Sequence, residues 1–186
     1  MKIFFDLEFT GLHQGTTPIS IGMVAEDDRA FYAEFTDYDR VQVNPWIRDN
    51  VIKNLVGQSG QYSIGQGVRL TFGIGNRDHV ASRLNQWLMA YSQVEFWGDV
   101  LSYDWVLLCQ LYGGALSMPS WVYYVPFDLA TLLKCRGIDP DVNREDFAQM
   151  PDPRIVLPRK PIKHNALWDA RIIRACYFRA MGIAKT

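Results

Sequence analysis

From Lys2 to Phe9 the chain alternates, with Ile3, Phe5, Leu7 and Phe9 on one side and Lys2, Phe4, Asp6 and Glu8 on the other. That two-residue period predicts a strand. After Gly11 and a loop, Ile19 to Ala25 reads as a second strand and ends in the acidic turn Glu26-Asp27-Asp28. Ala30 to Phe35 reads as a third, so the chain opens with a meander of three antiparallel strands. Asn44-Pro45 is a helix start, Asn as cap and Pro at the first helical position, with Ile47, Val51 and Leu55 following at helical spacing.

Residues 57–76 are rich in Gly, Gln and Ser and read as a long loop. From Asp78, the positions Val80, Leu84, Trp87, Leu88 and Tyr91 mark an amphipathic helix. Val94 to Gly98 predicts a short strand, and Ser102 to Tyr112 a helix stopped by Gly113-Gly114. Trp121 to Val125 predicts another strand, and Leu129 to Cys135 a short helix stopped by Gly137. Residues 138–163, with five prolines, read as a loop containing one helical turn, and Ala166 to Met181 as the closing helix. Leading strands followed by alternating helices and strands imply an α/β fold with a mixed sheet.

At 186 residues with 48% apolar content, the chain is expected to form a single globular domain, 1–186. No apolar stretch approaches a bilayer span. The early acids Asp6 and Glu8 interrupt what a signal peptide would need, so a cytoplasmic protein is expected. Cys109, Cys135 and Cys176 form no CxxC pair and are expected to be small buried residues. The formal charge of −1 is unevenly spread: residues 1–133 carry net −6 and residues 134–186 net +5. A basic last third is compatible with a phosphate-rich ligand, although solvated surface gives the same signal.

The candidate chemistry begins with Asp6 and Glu8, whose spacing of two puts both carboxylates on one strand face. Taken alone, the pair is also what the polar face of a half-buried strand looks like. Asp169 shares a helix face with Ala166, Ile172, Ile173 and Cys176. A charge there needs a partner, either a metal ion or a cross-helix Lys or Arg. Arg171 and Arg174 lie roughly 200° and 140° around that helix and point elsewhere. His164, just before the helix, can swing over the same region, though a lone His at a helix start is commonly a capping or surface residue. Asp104 falls in the first turn of a helix after a strand, where the macrodipole alone favours an acid. Asp99, at the strand end, is its rival. Four carboxylates and an imidazole together are what two divalent cations and a general base require for phosphoryl transfer.

At these positions the sequence resembles the DEDDh 3′–5′ exonucleases of the RNase H-like superfamily, the RNase T-like enzymes. Phe5-Asp6-Leu7-Glu8-Phe9-Thr10-Gly11-Leu12 is similar to their first motif, Ser102-Tyr103-Asp104-Trp105 to the second, and His164-Asn165-Ala166-Leu167-Trp168-Asp169-Ala170 to the third. A nearer resemblance is to short bacterial and phage exoribonucleases typified by a mycobacterial AMP-binding protein. It rests on Ile19 to Gly22, Val24 to Asp27, Tyr103-Asp104 and Leu108-Cys109-Gln110-Leu111. The resemblance implies an RNase H-like, five-stranded mixed sheet flanked by helices. It implies two Mg²⁺ or Mn²⁺ ions, with Asp6, Glu8 and Asp169 as ligands, Asp6 bridging, and Asp104 assisting directly or through water. It assigns His164 as general base and places Leu7, Phe9, Thr10, Tyr103, Trp105 and His164 against the nucleotide. The implied substrate is the 3′ end of single-stranded RNA or DNA, the product a nucleoside 5′-monophosphate such as AMP, and the assembly, by analogy, a homodimer. Arg159, Lys160 and Lys163 are placed to meet backbone phosphates.

Two other readings compete. A P-loop ATPase would need GxxxxGK[ST], and Gly-Lys never occurs in the chain. A catalytically idle nucleotide- or RNA-binding module on the same scaffold would have no need of His164.

Overall fold

The computed structural model describes residues 1–57, 69–149 and 163–182. The three leading strands are β1 (Lys2–Phe9), β2 (Pro18–Ala25) and β3 (Ala30–Phe35), paired antiparallel. Next come α1 (Pro45–Asn50), β4 (Leu70–Gly75), α2 (Arg77–Leu88), β5 (Glu95–Gly98) and α3 (Asp104–Leu111). The chain continues through β6 (Phe127–Asp128), α4 (Leu129–Cys135), α5 (Arg144–Ala148) and α6 (Ala166–Ala180). The sheet runs β4-β3-β2-β1-β5-β6, with β4, β5 and β6 each parallel to the neighbour they extend.

Six described strands form the sheet where five were expected, and the difference lies in β4 and β6. Leu70–Gly75, read as loop, is a strand because its backbone pairs with the outer edge of β3, a contact between residues far apart in sequence. The expected strand at Trp121 to Val125 is reduced to one bridge between Val94 and Val122. Pairing with β5 continues instead at Phe127–Asp128, just past Pro126, which has no N–H to offer a ladder. Residues 58–68 and 150–162, with Arg159 and Lys160, lie outside the described residues.

The alternation of β1 sorts its side chains as the sequence requires. Ile3, Phe5 and Leu7 pack with Val80, Leu84 and Leu88 of α2 and Leu107 and Leu108 of α3. On the opposite face, Phe4 packs with Leu129 and Leu133 of α4 and with Trp168, Ile172 and Ile173 of α6. Asp6 and Glu8 share that second face, the one α6 crosses. Asn44 caps α1, its side chain accepting from the Ile47 N–H at 2.8 Å. Cys109 and Cys176 are buried as expected, but Cys135 is exposed, because the last turn of α4 presents it to solvent.

One close approach fixes α6. Gly22 on β2 stands in register with Asp6 on β1. A Cβ there would lie 2.2 Å from the backbone of Ala166 and Leu167, so only glycine lets the start of α6 settle on the sheet beside Asp6.

Candidate active site

Asp6 and Glu8 leave β1 toward α6, and Asp169, in the first turn of α6, meets them from above. Each offers an oxygen such that all three lie within 4.8 Å of one another. Among the described residues, no Lys or Arg forms an ion pair with any of the three. The cross-helix cation considered for Asp169 is therefore absent from that set, and the cluster has the donor chemistry of a divalent-cation site. Asp104 sits at the first residue of α3, where its Oδ1 accepts the Leu7 backbone N–H at 2.8 Å. That bond ties the carboxylate to β1 between Asp6 and Glu8. Its rival Asp99 is engaged otherwise, forked by Arg144 at 2.7 and 3.1 Å.

Four acids so close suppress one another's ionisation. Burial raises Asp6 well above the ordinary carboxylate range, and the charges of Asp169, Asp104, Glu8 and Asp99 add to it. Glu8 is raised likewise, by burial first and then by Asp169 and Asp104. Burial lifts Asp169 to about 7, against a hydrogen bond from the His164 backbone N–H. Asp104 rises to about 6 by burial, held back by the Leu7 N–H. His164 moves the other way, lowered by burial and by neighbouring Lys163, so its imidazole is neutral and able to accept a proton near pH 7.

These groups floor a cavity of about 460 Å³, a volume suited to a nucleotide-sized ligand. Leu7, Phe9 and His164 line it, as do Leu12, Trp46, Ile47 and Val51. Leu12 is 78% exposed and Trp46 54% exposed, so both present apolar surface beside the cavity they line. Neither was named from the sequence as a nucleotide contact. The available signal for Trp46 was its place next to the cap of α1, off the Ile47/Val51/Leu55 stripe. Its indole meets the His164 ring edge-on, centroids 4.9 Å apart.

Three sequence-predicted nucleotide contacts do not line this cavity. The Thr10 hydroxyl is buried and hydrogen-bonded with Thr16, Thr17 and Gln42, holding together the loop that carries Leu12. Tyr103 packs on Phe9 at 5.6 Å between ring centroids. Trp105 points into the α2/α3 side of the core, 6.0 Å from the Phe96 ring, and borders a separate depression with Val100 and Pro126. The one-residue step from Asp104 to Trp105 on a helix rotates it away from the acids. Lys163 is exposed beside His164. No helix among the described residues is long and apolar enough to cross a membrane.

The chain is 32% identical over 174 residues to the 3′–5′ exoribonuclease Rv2179c of Mycobacterium tuberculosis strain H37Rv, covering 92% of this chain and 88% of that protein. The 3′–5′ exoribonuclease MT2234.1 of strain CDC 1551 matches to the same extent. Residues 1–180 also match the family described as the 3′–5′ exoribonuclease Rv2179c-like domain, a span that includes every member of the acidic cluster and His164. With likeness over that length, the chain belongs to the Rv2179c-like 3′–5′ exoribonuclease family.

Proposed function

We propose that the protein is a metal-dependent exoribonuclease that shortens single-stranded RNA from a free 3′ end and releases nucleoside 5′-monophosphates. The observation that carries this reading is the convergence of Asp6, Glu8 and Asp169 within 4.8 Å, beneath a cavity that His164 also lines. Two Mg²⁺ or Mn²⁺ ions bound there would stabilise the attacking and departing oxygens of an in-line displacement. Asp6, Glu8 and Asp169 would hold them, with Asp104 close by through its tie to Leu7.

The protein's own groups do the rest. The neutral imidazole of His164 takes the proton of the attacking water. Leu12 and Trp46 flank the mouth of the cavity and stack on the terminal base, a contact worth about 1–3 kcal/mol per base. Leu7 and Phe9 form the apolar wall behind it. Lys163, exposed beside His164, draws the phosphate backbone toward the cavity. Neutralising it together with the basic Arg159 and Lys160 of the same sequence run weakens binding to every sequence and flattens its salt dependence.

The deciding experiment is digestion of matched single-stranded RNA and DNA with Mg²⁺, with Mn²⁺ and in EDTA. A ladder from the 3′ end, release of 5′-monophosphates, protection by a 3′-phosphate and silence in EDTA are expected. Undiminished activity in chelator would sink the metal-dependent reading, and rapid cutting of a circular strand would reveal an endonuclease. Tight binding without any turnover would leave only a nucleotide-binding module on this scaffold.

A further inference from the structure

His164 has φ of +61°, in the left-handed region that a side-chain-bearing residue adopts only when its surroundings hold it there. The residues on either side of it are both tied to Asn54, which lies more than a hundred positions earlier. The Asn54 side-chain amide donates to the Lys163 carbonyl at 2.9 Å. The Asn165 side-chain amide in turn donates to the Asn54 carbonyl at 3.3 Å. Asn165 itself is fixed, buried and with its Oδ1 capping α6 at the Trp168 N–H, 3.2 Å away. Asn54 is braced from its own side, because its amide also reaches the Asn50 carbonyl at the end of α1.

We infer that Asn54 is a positioning residue that clamps the Lys163–Asn165 turn and thereby aims the His164 imidazole at the reaction centre. The inference rests on the proposed role of His164 as general base. Asn54 ends a 3-10 turn, Ile52–Asn54, that directly continues the segment carrying Trp46, Ile47 and Val51. One unit therefore builds a wall of the nucleotide cavity and also sets the base. The clamp acts beside the His164 N–H bond to the Asp169 carboxylate and the Trp46 ring contact, and losing it frees residue 164 to relax toward negative φ, which would turn its ring out of line. Asn54 itself touches neither the carboxylate cluster nor the cavity, so binding steps should be spared.

The test is a double-mutant cycle on the full chain, using a 5′-labelled single-stranded oligoribonucleotide and Mn²⁺. Asn54→Ala, at a half-buried position, should lower kcat by about 10- to 100-fold, the usual cost of a misplaced catalytic group. KM and Mn²⁺ affinity should stay within about twofold, since only an interaction felt during the chemical step is removed. Asn54→Asp, equal in size but without the amide donor, should behave the same way, which separates loss of the clamp from loss of packing. Measured in single turnover with excess enzyme, Asn54→Ala should cost nothing further when added to His164→Ala. An unchanged kcat in both Asn54 variants overturns the clamp. So does an equal loss in the His164→Ala background, which would mark a general structural defect. If His164→Ala itself keeps more than about a tenth of the wild-type rate, the general-base assignment falls instead.

Discussion

His164 and Asp6 face the same cavity but should fail in different ways when removed. A general base contributes about 10²–10⁴-fold, so His164→Ala should lose that much in rate and still bind AMP and Mn²⁺, as titration calorimetry would show. Asp6→Ala should lose Mn²⁺ binding and turnover together, since its carboxylate is central to the cluster. Retained Mn²⁺ binding in Asp6→Ala would show that the ions lie elsewhere. Asp99 and Asp104 give a second contrast, because Asp99 was the nearby rival to Asp104, the helix-start acid that the sequence pattern favoured. Asp104 is tied to Leu7 in the middle of the acidic strand face, whereas Asp99 is forked by Arg144. Asp104→Asn should therefore depress kcat. Asp99→Asn should leave kcat nearly intact and cost about 1–3 kcal/mol of stability, between the values of surface and fully buried pairs. Thermal melting and initial rates on both variants check this, and the reverse pattern would exchange the two roles.

At the scale of elements, the site depends on how closely α6 lies on the sheet. Gly22→Ala places a methyl group 2.2 Å from the Ala166–Leu167 backbone, which must lift the first turn of α6 and carry Asp169 away from Asp6. Weakened Mn²⁺ binding is expected beside a lowered melting temperature, and normal metal affinity in this variant would contradict the dependence. The elements that build this contact were legible in the sequence. β1 announced itself by alternation, α1 by its Asn-Pro cap, α4 and α6 by helical periodicity and stop signals. β4 was not, because Leu70–Gly75 contains a glycine at its fourth position and owes its strand form to the distant edge of β3. Asp169 stood out for a related reason, since a carboxylate on an apolar helix face contradicts its own local pattern, whereas Asp6, Glu8 and Asp104 each fit theirs and drew notice only together. Leu12 and Trp46 contradict nothing locally, and only the assembled cavity shows that they stand exposed at its mouth. Trp105 adjoins Asp104 in the chain but does not line the cavity, because the helical step turns its side chain toward the core.

For the whole molecule, the crowded acids predict how stability responds to pH and metal. Asp169, raised to about 7, and Asp104, raised to about 6, hold protons in the fold that the unfolded chain releases near the ordinary value of 3.8. Their stabilising contribution is thus complete below that value and disappears as pH climbs through about 6 to 7. In EDTA the melting temperature should fall between pH 5 and pH 8. Mn²⁺ should raise it at pH 8 by several degrees, at about 2–4 °C per kcal/mol, and much less at pH 5. A metal-induced shift equal at the two pH values would mean that these carboxylates do not hold the ion. The joining of β1 to α6 also governs the birth of the enzyme. Asp6 leaves the ribosome among the first residues, and Asp169 follows only after nearly all of the described chain, on the order of ten to thirty seconds later. Until then Asp6, Glu8 and Asp169 cannot converge, whatever the early strands have already folded into. On the proposed reading, a product broken off before α6 lacks Asp169 and should be unable to cleave RNA, so synthesis would arm the chain only at its end.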